Sequence, residues 1–91
     1  MSDWHLYIIQ NRLNQLYTGI STDPQRRLQE HQQGGVKAAK ALKGKGPLTQ
    51  VFCIEIGNRS QASKAEIWVK KLSHQQKHQL INQQITLPLN W

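Results

Sequence analysis

Short apolar runs interrupted by turn-forming residues organise the first third of the chain. Trp4 to Gln10 and Leu16 to Ser21 are rich in Tyr, Ile, Leu and Thr, side chains that suit a pleated, half-buried surface. The intervening Asn11-Arg12-Leu13-Asn14 reads as a hairpin connection, so these runs predict two antiparallel strands. Thr22-Asp23-Pro24 then offers a polar cap and a proline suited to a first helical turn. Helix-tolerant residues follow to Gln33, where Gly34-Gly35 stop them. Leu48 to Ile56, with Val51, Phe52, Cys53 and Ile54 at its middle, predicts a third strand buried on both faces.

The remaining pattern has helical spacing. Ser60 is a candidate cap for a second helix running to about Leu72, with Ala62, Ala65, Val69 and Leu72 on its inward face. Ser73 and Gln76 have the spacing of a capping box and open a third helix to about Gln84. The order β-β-α-β-α-α predicts an α+β fold, a small three-stranded antiparallel sheet flanked by helices. A chain of 91 residues suits one domain, with a core over residues 4–81 and a C-terminal tail over 82–91.

Composition narrows the setting. No apolar run approaches the roughly 20 residues of a membrane span, and Met1-Ser2-Asp3-Trp4 does not open like a signal peptide. The expectation is a cytoplasmic protein without membrane contact. Cys53, the single cysteine, has no intrachain disulfide partner and reads as a small buried hydrophobe. Twelve Lys and Arg against five Asp and Glu give a net charge of +7, which favours a polyanionic partner, nucleic acid first. Four of these lysines, Lys37, Lys40, Lys43 and Lys45, lie in the glycine-containing connection 36–47, as a solvated loop, a phosphate-tracking edge or both.

Three further features place polar chemistry near the core. Glu66 sits about 40° from Ala62 on a helical wheel of roughly 100° per residue, within the inward face of the second helix. A carboxylate there is either solvated at the helix edge or needs a salt bridge, a hydrogen-bond network or a cation, because burying it alone costs several kcal/mol. Arg27 and His31, four apart on the first helix, share a face at or beside the surface that docks on the sheet, as site residues or as a solvated edge pair. Tyr7 and Tyr17 stand on opposite arms of the hairpin, within cross-strand reach if they share a face. His74 and His78 are also four apart, but with no third ligand in the sequence nearby they read as surface residues.

From Trp4 to about Ile81 this ordered set resembles the GIY-YIG nuclease superfamily, and most closely its small stand-alone bacterial YhbQ-like subfamily. Leu6-Tyr7-Ile8 stands for the first signature, keeping the tyrosine without the eponymous glycine, and Tyr17-Thr18-Gly19 stands for the second. Arg27 follows Tyr17 by ten residues, as the family's arginine does, His31 matches a histidine one turn later, and Glu66 matches the metal-binding glutamate. For the asparagine that some members carry late in the domain, Asn82 and Asn90 are nominal counterparts only.

The resemblance implies a metal-dependent endonuclease acting on nucleic acid, DNA ahead of RNA, in repair or recombination. A noncatalytic binding module or adaptor that retains the fold is the alternative, and a protein partner is compatible with either. Glu66 would hold one Mg²⁺ or Mn²⁺ ion through a hard oxygen ligand, and Arg27 would present its planar fork to the phosphate. Tyr7 is the expected general base, with Tyr17 sharing its proton or binding phosphate, and these roles can exchange. His31 would assist proton transfer. A phenol of ordinary pKa about 10 needs a shift of roughly 3 units, about 4 kcal/mol, to act as a base near neutrality, and neighbouring cations are the expected source.

Overall fold

The computed structural model describes residues 3–34, 42 and 44–88. Lys37, Lys40, Lys43 and Asn90 lie outside the described residues. Strand β1 spans Trp4–Gln10, β2 Leu16–Ser21, helix α1 Pro24–Gln33, β3 Thr49–Gly57, α2 Arg59–Lys70 and α3 His74–Ile81. The predicted order β-β-α-β-α-α is the one observed. All strand pairs are antiparallel, and β1 lies between β2 and β3.

Asn11 makes the hairpin connection. Its side-chain oxygen accepts from the backbone N–H of Leu13 at 2.9 Å and of Gln15 at 3.0 Å. Asn14 takes the left-handed backbone, φ 61°, that asparagine tolerates better than most residues. Helix α1 begins as the sequence predicts. The Asp23 side chain accepts from Arg26 N–H at 3.2 Å, Pro24 occupies the first turn, and left-handed Gly34 returns its N–H to the His31 carbonyl.

The central strand sends side chains to two cores. Leu6 and Ile8 point into a cluster with Ala65, Val69, Leu80 and Leu87, supplied by α2, α3 and the segment after α3. Tyr7 and Ile9 alternate to the other face, where they meet Leu42 and Leu48, with Tyr17 and Leu28 packed alongside. Helix α1 therefore covers one face of the sheet and α2 the other. Helix α2 lies across all three strands.

Two sequence expectations need correction. Cys53 is exposed, because β3 is an edge strand with one well-packed face. Phe52, Ile54 and Ile56 pack against the Leu6–Ile8 cluster, while Cys53 and Glu55 are exposed between them. The cap of α2 is Asn58 and not Ser60. The Asn58 side chain accepts from Gln61 N–H at 2.9 Å, and Gln61 Oε1 accepts from Asn58 N–H at 3.1 Å. The capping box predicted for α3 is present, with Ser73 Oγ accepting from Gln76 N–H at 3.1 Å. That helix ends at Ile81, before Gln84, and Gln83 turns left-handed at φ 62°.

Candidate active site

Tyr7 is the hub on the α1 side of the sheet. Its cross-strand partner on β2 is Gly19, and Tyr17 pairs with Ile9, so the two tyrosines share a face as diagonal neighbours. The phenol of Tyr7 lies across Gly19. A Cβ at that position would stand 2.5 Å from Tyr7 Oη and 2.6 Å from Cζ, so only glycine leaves room for the ring. The glycine of Tyr17-Thr18-Gly19 is thus a requirement of close approach.

Helix α1 supplies the partners of that hydroxyl. His31, 1% exposed, places Nε2 3.3 Å from Tyr7 Oη. Its ring also meets Tyr17 edge-on, with centroids 5.5 Å apart. Arg27, one turn earlier, hydrogen-bonds the same Tyr7 oxygen and pairs with Glu30 at 3.1 Å. Glu30 escaped the sequence analysis, although its position three residues after Arg27 places it on the same helical face.

The electrostatics set the protonation pattern. Burial, followed by the Tyr17 phenol, pushes the Tyr7 pKa up to about 12 despite the opposing charge and hydrogen bond of Arg27; Glu66 pushes the same way. The expected cationic depression does not arise from the protein's own residues, so Tyr7 is a neutral hydroxyl near pH 7. Burial and the Arg27 charge lower His31 below the ordinary imidazole value, with Glu30 opposing. His31 is therefore neutral as well. Burial opposes the Arg27 charge, but Glu30 and Tyr7 hold its pKa above the usual guanidinium value.

Glu66 acts from the other layer. Helix α2 packs over all three strands, and the Glu66 charge is the smallest of the influences felt at the Tyr7 phenol. Its carboxylate is 24% exposed and sits 3.5 Å from Lys70 Nζ, itself 55% exposed. Lys70, four residues further along α2, is thus a partner of the carboxylate. The remaining described candidate, Lys45, lines a cleft of about 450 Å³ together with Tyr17, Leu42, His74 and the Asn11–Leu16 turn. Its Nζ reaches Gln15 Oε1 at 3.4 Å.

The profile of the GIY-YIG catalytic domain matches residues 3–79, which takes in every residue of this constellation. The chain belongs to the GIY-YIG family. It is 53% identical over 81 residues to the UPF0213 protein YhbQ of Escherichia coli O127:H6, spanning 89% of this chain and 79% of that protein. A UPF0213 protein of Yersinia pestis is 57% identical over 83 residues, spanning 89% and 85% of the two chains. The solution structure of a UPF0213 protein from Bacillus halodurans superposes with a TM-score of 0.58 at 33% identity, covering 89% of this chain and 84% of that one. A GIY-YIG domain is a nuclease-family domain, which suggests interaction with nucleic acid. Among the described residues no helix is long and apolar enough to cross a membrane.

Proposed function

We propose that this GIY-YIG chain is a metal-assisted endonuclease that hydrolyses phosphodiester bonds in DNA, in the service of repair or recombination. The observation that carries the reading is the Tyr7 hydroxyl held by Arg27 and 3.3 Å from His31 Nε2. With its pKa pushed up to about 12, Tyr7 serves better as a relay than as a standing phenolate. Neutral His31 takes the phenolic proton as the Tyr7 oxygen takes one from the attacking water, so the imidazole sets the basicity required. Arg27 stabilises charge accumulating on the phosphate, and Tyr17 orients it from the neighbouring strand.

Glu66 is the residue suited to hold Mg²⁺ or Mn²⁺. Among the described residues no three His, Cys, Asp or Glu side chains gather as a metal cluster. A single partly exposed carboxylate fits an ion that keeps several waters and takes its other ligands from the substrate phosphate. Lys70, largely exposed, can leave the carboxylate when a cation arrives. Such an ion supplies charge neutralisation at the leaving oxygen. The lysines of the 36–47 connection, with Lys45 on the cleft wall, provide phosphate contacts that carry no sequence information.

The test is cleavage of single-stranded, duplex, flapped and branched DNA and RNA with Mg²⁺ or Mn²⁺. Metal-dependent cutting of a DNA substrate, slowed more in kcat than in binding by Arg27→Lys, is the expected result. Tight binding with no cutting across the panel would favour the noncatalytic module.

A further inference from the structure

A pair of imidazoles lies outside the Tyr7 constellation, at the start of α3. His74 and His78 are one helical turn apart, and helical side chains lean toward the N-terminus, which brings the two imidazoles together. Their Nε2 atoms are 3.0 Å apart and the rings meet edge-on with centroids at 4.6 Å. Metal–imidazole bonds of about 2.0–2.1 Å put two cis nitrogens roughly 2.9 Å apart at a right angle and roughly 3.4 Å apart at the tetrahedral angle. The observed separation falls within this range, near its right-angle end. His74 also lines the cleft of about 450 Å³ that contains Tyr17 and Lys45.

We infer that His74 and His78 form a two-histidine chelate for a borderline transition-metal dication, of the Ni²⁺, Cu²⁺ or Zn²⁺ type, at the rim of this cleft. Paired imidazoles suit these ions, whereas Mg²⁺ prefers hard oxygen ligands. The site is therefore chemically distinct from Glu66. The ion replaces the proton that the two Nε2 atoms otherwise share, and water from the cleft completes its shell. The other lining groups do not compete for it. Asn11 and Gln15 are engaged with each other at 3.0 Å, and Lys45 is a cation.

The inference is independent of the nuclease reading, because its test is binding. Substoichiometric Ni²⁺ added to the uniformly ¹⁵N-labelled chain should broaden backbone signals around Ser73 to Gln79 and at the cleft rim near Gln15 and Tyr17. Calorimetry should give one equivalent of Ni²⁺. His74→Gln and His78→Gln should each weaken binding by at least the roughly 10–100-fold that loss of a mere supporting partner costs a metal site. His5→Gln should leave it unchanged, and Mg²⁺ should not compete. His74 is exposed, so its substitution leaves the fold intact and suffices if His78→Gln melts early. No broadening at α3, or broadening that survives His74→Gln, would overturn the inference and leave an imidazole–imidazole hydrogen bond.

Discussion

Leu6 and Ile8 point to one side of β1 and Tyr7 and Ile9 to the other, and all four are buried, yet the two sides are built for different ends. On the α2 side the neighbours are hydrocarbon, Ala65, Val69, Leu80 and Leu87, and burial there is straightforwardly stabilising. On the α1 side the strand buries a phenol against an imidazole and a guanidinium, and each polar group must find a partner to offset its lost hydration. One face thus carries stability with which the other can hold polar groups in a fixed arrangement.

The largest stability effect should come from the apolar face. Leu6→Ala should cost about 2–5 kcal/mol in denaturant unfolding while sparing the residual chemistry of the molecules still folded. On the polar face, Gly19→Ala sets a Cβ against Tyr7 Oη. A smaller cost of about 1–3 kcal/mol is expected, but cleavage should fall by about a hundredfold as the hydroxyl is displaced by about an ångström. If both substitutions lowered stability and specific activity in equal proportion, the division between the faces would be wrong.

The smallest effect is a pH dependence confined to the α1 side. His31 has its pKa lowered from 6.5 by burial first and Arg27 second, so the unfolded chain binds its proton more readily than the folded one. Stability is then complete above about pH 6.5 and declines as pH falls toward the lowered value. Cleavage should fade at lower pH, as the folded chain passes through its own lowered His31 value and the relay loses its acceptor. Melts and pH–rate profiles of wild type and His31→Gln would check this, with the acid-side stability loss flattened in the variant.

Much of this was legible in the chain because helix and strand signals are local. Asp23-Pro24, Gly34-Gly35 and the Ser73–Gln76 pair mark boundaries through bonds they make within a few residues. Cys53 was misread because its run is apolar and only the sheet order puts β3 at an edge; edge position depends on pairing, not on local pattern. Asn58 was missed in favour of Ser60, though its spacing to Gln61 is that of a capping box. The five candidate residues stand out by type, order and family resemblance, whereas the direction of the Tyr7 shift does not. That direction depends on how deeply the phenol sits and on Tyr17 beside it, and both are consequences of packing.

Single-turnover cleavage by Tyr7→Phe reads the central claim most directly. Phenylalanine keeps the ring that packs over Gly19 and removes only the hydroxyl held between Arg27 and His31. With melting and nucleic-acid affinity near wild type, cleavage should fall by about 10²–10⁴-fold, the range typical of a lost proton-transfer group. A wild-type rate in this variant would contradict the account.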